Sequence, residues 1–316
     1  MTQNTHKHPY LSFMLRYGWI FIVIAALLIL FLLNVSKPGT EVEGCLDGCA
    51  VLNEREPGVL RIVSLNLLHG FPRFEDLAAR LDVFVDQVQA LDADIILLQE
   101  VPWNRSVRSA ARYLAERLGM NYLYYRANGN RQAIFFEEGE AILSRFPLKS
   151  PVYLELRPRA GFFEQRVVLG ADVETHIGDI SVFVTHLTHG EPGANFGQVD
   201  ALLNEVQAHG LLPKVIAGDF NASPNSSQVS KLSRSWIDVY REVNPEKDGF
   251  TCCIDDLHDP DQGLDKRIDY VFLEGDAADK YDVLDAQLVF DRPARLDDGW
   301  LWVSDHVGLM VTLGEK

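Results

Sequence analysis

In "KVIAGDFNAS", residues 214–223, an apolar run stops on Gly218 and delivers Asp219 and Asn221 two positions apart. In an extended chain residues i and i+2 point the same way, so a carboxylate and an amide would meet at one spot. Gly, Asp, Asn, Ser and Pro also favour turns, and a turn accounts for this stretch when it is read alone. It does not stand alone. "IVSLNLLHG" carries Asn66, "DIILLQEV" delivers Glu100, and "SVFVTHLTHG" delivers His186. "KRIDYVFL" places Asp269 in an apolar stretch, and "WLWVSDHVGLMVTL" places Asp305 and His306 between two apolar runs. Each has an ordinary reading: a bulge for Asn66, a helix cap for Glu100, a satisfied core histidine for His186. Asp269 could pair with Arg267, and Asp305–His306 could be a loop. Jointly these readings fail, because polar groups buried in apolar strands cost several kcal/mol each unless they are paired or hold a metal. One shared site, rich in the oxygen donors that a hard cation prefers, resolves them all.

Strands and helices must position these residues. "VLRIVSLNLL" and "DIILLQEV" read as strands, with the helical "FEDLAARLDVFVDQVQAL" between them. "SVRSAARYLAERLG" reads as a helix closed by Gly119. Strand-like segments follow at 121–126, 132–136, 140–145, 165–173 and 180–186, then one helix at 195–209 before "KVIAGDF". Strands return at 268–273, 284–290 and 307–313. Many strands with helices grouped in sequence predict two packed sheets flanked by helices, not a doubly wound parallel sheet.

The chain has 316 residues, 47% hydrophobic and 23% charged, with a formal net charge of -16. Nucleic-acid binders usually carry a positive face, so a polyanionic substrate would here need a local basic patch or a metal ion. From Tyr17 to Ser36 no residue is charged. About twenty residues, at about 1.5 Å each, cross a hydrocarbon core of about 30 Å. Lys7 and Arg16 precede this run with no acidic residue, and Lys37 and then Glu41, Glu43, Asp47 and Glu54 follow it. The expected organisation is a short cytoplasmic N-terminus (1–16), a single-pass transmembrane anchor (17–36), a linker (37–58) and one extracytoplasmic catalytic domain (59–316). A cleaved signal peptide and a secreted domain are the rival reading. The four cysteines form two local pairs, Cys45 with Cys49 and Cys252 with Cys253, and an extracytoplasmic domain permits disulfides. Their connectivity is open.

The ordered set "SLN", "LLQEV", "THL", "GDFN", "RIDYVF" and "SDHVGL" resembles the endonuclease/exonuclease/phosphatase superfamily, the DNase-I-like fold, over essentially all of 59–316. The resemblance implies a four-layer α/β/β/α sandwich, two packed mixed sheets flanked by helices, preceded here by the N-terminal transmembrane helix. It also implies hydrolysis of phosphate esters assisted by a divalent metal, usually Mg2+, with Mn2+ or Ca2+ as alternatives. By that resemblance Glu100 is the principal metal ligand, with Asn66 and Asp305 nearby. Asp219 orients or deprotonates the attacking water, and Asn221 and His186 bond the phosphoryl oxygens. His306 contacts the phosphate as general base or charge stabiliser, and Asp269 holds His306 in one tautomer and raises its pKa. A second carboxylate behind His186 is expected from Glu138 or Glu140, with Glu138 preferred. Arg131 and Arg166 are candidates for the local positive charge, and His69 and His189 for the cleft lining.

The substrate stays open at this level. "LDKRIDYVFL" departs from the signature of inositol-polyphosphate 5-phosphatases, and the acidic balance counts against a nuclease. The expected activity is a phosphodiesterase or nuclease at the outer face of a membrane. The alternatives are a lipid-head-group phosphodiesterase, a phosphatase, or a non-catalytic binding module. "RPRAGFFEQR", residues 157–166, either faces membrane or substrate through Phe162 and Phe163 or packs them in the core. No protein partner is inferable.

Overall fold

Apolar runs alternate in what they face, and that alternation builds the fold. A computed structural model describes residues 9–51, 58–297 and 299–316. It begins with α1 (Pro9–Asn34), β1 (Glu43–Cys45), β2 (Val59–Asn66), α2 (Leu77–Leu91), β3 (Ile95–Asn104), β4 (Arg108–Ser109) and α3 (Ala110–Leu118). The middle comprises β5 (Asn121–Asn130), β6 (Phe136–Ser144), β7 (Leu148–Leu156), β8 (Arg166–Thr175), β9 (Gly178–His186), α4 (Pro192–Ala208) and β10 (Lys214–Asp219). Then come α5 (Ser227–Leu232), β11 (Trp236–Asp238), α6 (Val239–Val243), β12 (Asp269–Glu274), β13 (Tyr281–Val289), β14 (Ala294–Leu296), β15 (Gly299–Leu301) and β16 (Gly308–Glu315).

One sheet has the order β1-β5-β6-β3-β2-β16-β13, with β4 beside β3, and the other the order β11-β12-β10-β9-β8-β7. Both are mixed, since β2 runs parallel to β3 and β9 parallel to β10 among antiparallel neighbours. Successive side chains of a strand face opposite ways. In β2, Leu60 and Ile62 enter a core shared by the two sheets, while Val63 and Leu65 enter a core under α2 and α3. In β10, Val215 and Ala217 join the shared core, and Ile216 packs against Val199, Leu202 and Val206 of α4. The layers therefore run helix, sheet, sheet, helix. α2 fits its place because Leu77, Leu81, Phe84, Val85 and Val88 form one buried stripe.

Three local expectations change. No strand forms at 132–135; the Asn130 carboxamide oxygen accepts from the backbone of Gln132 and Ala133 and turns the chain before β6. β7 was not expected, because Pro151 interrupts its apolar pattern; as a sheet-edge strand it tolerates a missing donor. Residues 37–51, expected as part of a tether, dock on the domain instead. There β1 pairs antiparallel with β5, a Cys45–Cys49 disulfide follows, and the Val51 N–H bonds the Gly119 carbonyl at 2.8 Å. A three-residue strand has no period to detect in a Gly- and Pro-containing stretch. The rest of that segment, 52–57, and residues 1–8 of the expected cytoplasmic terminus lie outside the described residues.

α1 contributes to none of the apolar cores, and every residue from Phe21 to Leu33 is exposed. Among the described residues no helix is long and apolar enough to cross a membrane; the α1 side chains before Arg16 and at Gly18 fall outside that statement.

Candidate active site

The shared core opens at one end, and there the apolar side chains give way to polar ones. β9, β10 and β12 are neighbours whose register sets His186, Asp219 and Asp269 abreast. Each continues the alternation that sends Val184, Ala217 and Val271 into the shared core, so all three look into the space between the sheets. Gly218 is what lets β10 lie this close to β9, since a Cβ there would sit 1.9 Å from the Thr185 carbonyl oxygen. From the facing sheet, Asn66 ends β2 on the parity of Leu60 and Ile62. Its Nδ2 donates to Asp219 Oδ2 and to Glu100 Oε1, each at 3.2 Å, and so ties the two sheets together.

Simple alternation would aim Glu100 wrongly, because Ile96 and Leu98 of β3 pack under the helices. A bulge between Leu98 and Val101 breaks the register with β6 and returns Val101 to the helix-side core. Within it Glu100 takes a φ of 53°, and its carboxylate swings into the site. Oε2 accepts the His69 N–H at 3.1 Å. Burial pushes the Glu100 pKa up, but the His69 ring and N–H and the Asn66 amide outweigh it and hold the group below the usual carboxylate range.

Asp219 Oδ1 accepts the Asn221 N–H at 2.8 Å. Burial and then the charge of Asp269 push Asp219 up to about 7, against the opposing pull of His306. Asn221 Nδ2 donates to the Leu187 carbonyl and lies 3.0 Å from His186 Nε2. An amide N–H can only donate, so Nε2 is the acceptor and the ring proton is assigned to Nδ1. That Nδ1 is buried without a hydrogen-bond partner. Burial first, then the positive charge of Arg166 and His306, hold His186 well below the ordinary imidazole pKa, so it is neutral. The 3.4 Å approach of Nε2 to Asp219 Oδ2 is therefore not an ion pair.

His306 is the opposite case. Nδ1 lies 2.9 Å from Asp269 Oδ2 and Nε2 lies 3.8 Å from Asp219 Oδ2. Burial disfavours the charged ring, but Asp269, then Asp219 and Asp305, outweigh it and hold the pKa well above the ordinary value. Asp269 Oδ2 also accepts from Thr251 Oγ1 at 2.6 Å. Ser304 Oγ bonds the Asn66 carbonyl at 2.6 Å and lies 3.2 Å from Asp305 Oδ1, which brings Asp305 beside the end of β2.

Eight expected residues thus converge: Asn66, Glu100, His186, Asp219, Asn221, Asp269, Asp305 and His306. Glu138 and Arg166 line a cleft of about 300 Å³ that opens beside Glu100. Glu138 accepts from Asn128 rather than from His186, and Glu140 is buried with Oε2 unpartnered. Neither supplies the hydrogen bond expected behind His186. Arg166 pairs with Glu164 at 2.9 Å. Arg131 lies elsewhere, pairing with Glu137 at 2.8 Å and Glu43 at 3.2 Å in a separate cavity of about 640 Å³. Docking of β1 brings Glu43 there and draws that guanidinium away from the site. His69 lines the cleft, and His189 Nδ1 lies 3.1 Å from Asn221 Oδ1.

Arg80 was not foreseen. Fully buried, it donates to the carbonyls of Leu67, Leu68, Glu75 and Val303 at 2.8, 2.9, 3.2 and 3.0 Å. Burial lowers its pKa to about 10, so it remains charged. It braces the chain after Asn66 against the chain before Ser304 and Asp305. An arginine on the apolar stripe of α2, between Leu77 and Leu81, is the signal that marks it.

The donors fit a divalent cation. Burial, opposed by His306 and assisted by the charge of Glu100, raises the pKa of Asp305, so two carboxylates face a space that a cation would stabilise. Asp219, Asp269 and His306 also bring donor atoms within 4.8 Å of one another, but a protonated His306 has no lone pair to give. Glu100 and Asp305 are the better pair, and their oxygens suit a hard ion; Asn66, expected as a ligand, turns Nδ2 toward Glu100 and Oδ1 toward the Leu68 N–H and so orients the Glu100 carboxylate.

The Endonuclease/Exonuclease/phosphatase family model matches residues 63–306. No curated protein matches the chain. Among solved structures, an endonuclease/exonuclease/phosphatase family protein from Bacteroides thetaiotaomicron is 19% identical at a TM-score of 0.65, over 82% of this chain and 98% of its own. A mannosyl-6-phosphatase from the same organism is 18% identical at 0.64, over 80% and 99%. TDP2 from C. elegans is 16% identical at 0.61, over 81% and 75%. At such identities the neighbours establish the fold, and the family match over more than half of the chain establishes the kinship. The chain belongs to the Endonuclease/Exonuclease/phosphatase family and is a phosphoric ester hydrolase.

Proposed function

We propose that this chain is a Mg2+-dependent phosphodiesterase held at the outer face of a membrane by α1. The observation that carries the reading is the pairing of opposites in one small space. Two imidazole N–H groups face carboxylates: Nδ1 of neutral His186, buried and unpartnered, lies 3.8 Å from Glu100 Oε1, and Nε2 of protonated His306 lies 3.8 Å from Asp219 Oδ2. Donors and cation ligands side by side suit a phosphate bound to a metal.

Glu100 and Asp305 would hold the ion, with Asn66 orienting Glu100 through Nδ2; when bound the ion would neutralise phosphoryl oxygens. Asp219, with a pKa near neutrality and its Oδ2 fixed by Asn66, is placed to accept a proton from the attacking water. His186 donates from Nδ1 to a phosphoryl oxygen as negative charge builds, and Asn221, whose two amide hydrogens go to His186 Nε2 and the Leu187 carbonyl, holds that ring in place. His306 donates from Nε2, and Asp269 is a positioning residue that keeps its Nδ1 protonated.

A diester is favoured over a monoester by charge. Glu138 and Glu164 line the cleft, and a dianionic monoester meets them with one more negative charge than a diester does. The monoester reading draws on the neighbour named as a mannosyl-6-phosphatase. Hydrolysis of bis(p-nitrophenyl) phosphate and p-nitrophenyl phosphate, with Mg2+, Mn2+ or Ca2+ and with EDTA, tests all of this. EDTA-sensitive turnover of the diester is expected; no turnover with any of the three ions overturns the reading.

The membrane part rests on Tyr17–Ser36, which is uncharged, and on a helix exposed and apolar on every face from Phe21 to Leu33. A helix apolar all round belongs in a core or a bilayer, and α1 lies in no core. The N-terminus is then cytoplasmic, with residues 59–316 and the docked 37–51 outside. Alkaline extraction of membranes tests it: retention of the full-length chain is expected, and release in a shortened form supports the secreted alternative.

A further inference from the structure

We infer that the Cys252–Cys253 disulfide is a redox modification site: a dithiol opens it, and opening lowers the activity of the centre beside it; this rests on the site assignment above. The first observation is where the bond stands. Donor atoms of both cysteines and of His306 lie within 4.8 Å of one another, and Cys252 forms an isolated antiparallel bridge with His306. The residues on either side of the pair carry the site. The Thr251 carbonyl accepts the Val307 N–H at 2.7 Å, and the Ile254 N–H donates to the Asp305 carbonyl at 2.8 Å. Asp305 and Val307 flank His306, so its ring hangs between two hydrogen bonds whose spacing residues 252 and 253 set. Thr251 Oγ1 also donates to Asp269 Oδ2, the oxygen that lies 2.9 Å from His306 Nδ1.

The usual service of a disulfide is missing here. Such a bond stabilises a fold mainly by closing a loop, and the gain grows with the length of the loop. Cys252 and Cys253 are neighbours in sequence, so their bond closes almost none. What it fixes is the local shape of 251–254. Two thiol sulfurs cannot remain at bonding distance, so opening the bond changes that shape. The backbone around it is pinned on the other side as well. The Cys252 N–H donates to the Lys266 carbonyl at 3.0 Å, and the Cys252 carbonyl accepts from Lys266 at 3.1 Å. A change between these anchors therefore passes to Asp305, His306 and Asp269.

Access decides which sulfur reacts. Cys252 is 1% exposed, whereas Cys253 is half-buried and reachable. A thiolate of the dithiol attacks Cys253 Sγ, the bond between the two cysteines breaks, and Cys252 leaves as a thiolate and takes a proton. The second thiol of the reagent then displaces Cys253, which takes a proton in turn. The protein ends with two thiols and the reagent as a disulfide, so the electrons balance.

The test uses the full chain carrying Cys45→Ser and Cys49→Ser, so that every thiol released comes from the vicinal pair. It is treated with dithiothreitol, freed of reagent, and assayed for thiols, for bis(p-nitrophenyl) phosphate turnover and for the rise in melting temperature on adding Mg2+. Reduction is expected to release both thiols and to lower kcat about tenfold or more, since a misplacement of about 1 Å can cost about 10²-fold. The Mg2+-induced rise should shrink, and reoxidation with diamide should restore both readouts. Cys252→Ser/Cys253→Ser should sit at the low rate and ignore dithiothreitol. A bond that dithiothreitol leaves closed overturns the inference. So do turnover and a Mg2+ response that stay level or rise once both thiols appear, and so does a loss that reoxidation does not reverse. No turnover in either redox state overturns the hydrolase reading itself, and the Mg2+ response alone then decides whether the pair governs the site.

Discussion

Asp269 acts on His306 through a direct hydrogen bond and on Asp219 through its charge, and the first dependence can be measured. Its Oδ2 accepts from His306 Nδ1 at 2.9 Å and from Thr251 Oγ1 at 2.6 Å. Asp269→Asn keeps the shape, removes the charge and presents an amide where two donors already point. A hydrogen bond to a charged group contributes about 1.5–3 kcal/mol. At about 1.4 kcal/mol per decade, the expected loss in kcat on bis(p-nitrophenyl) phosphate is about 10- to 150-fold. His306→Ala removes the donor altogether, and the loss expected for a general acid–base group is about 10²- to 10⁴-fold. If Asp269 works by holding His306, the double variant is no slower than His306→Ala alone, because nothing is left to position. Thermal melts of all three variants check that the fold survives. A double variant slower than His306→Ala by the full Asp269→Asn factor would refute the reasoning. Asp269→Asn at wild-type rate would refute it as well.

Three other outcomes are expected. EDTA should abolish turnover, and Mg2+ at about a hundred times its Kd should raise the unfolding free energy by about 2.7 kcal/mol in the wild type but not in Glu100→Gln, as thermal melts will show. Arg80→Met leaves the buried carbonyls of Leu67 and Val303, and the partly buried ones of Leu68 and Glu75, without their donor and should cost about 2–4 kcal/mol of stability by urea titration. Its Mg2+ affinity should fall too, because Asn66 and Asp305 lose their brace. Glu140 has its pKa raised well above the usual carboxylate range by burial and then by Glu138. The native state therefore keeps a proton that the unfolded chain releases, and stability is lost as pH rises from the unfolded pKa through the higher folded one. Glu140→Gln should melt higher than the wild type at about pH 8 and nearly equal to it at about pH 4, so that the curve flattens. A parallel pH dependence in both proteins counts against this.

The parts of the site that were legible in the sequence are those that continue a strand's own alternation. His186, Asp219 and Asp269 each stand two residues from an apolar neighbour facing the shared core, so the run that makes the strand also aims the polar residue. Glu100 was legible as a site residue but not in its direction, which depends on a bulge that exists only in the pairing of β3 with β6. Arg131 was misplaced for a related reason. Its partner Glu43 arrives with β1, a strand too short to announce itself. Arg80 and Thr251 act through bonds to residues far along the chain, and no local pattern encodes them.

This division has a physical consequence for how the site is kept. A slip of one residue between β9 and β10 would turn Asp219 toward α4 and expose Val215 and Ala217 to the helix side. The apolar contacts that resist the slip are spread through the shared core, far from the reacting groups, yet they set the separation of His186 and Asp219. Core packing and site geometry are thus one constraint on this half of the site. The other half, Glu100 with Asn66 and Asp305, has no such insurance and depends on a bulge, a Ser304 hydroxyl and the Arg80 brace. Distant substitutions that perturb activity without unfolding the chain should therefore act on the metal-holding half, by way of the segments 66–75 and 303–306, before they disturb the strand ends that carry His186, Asp219 and Asp269.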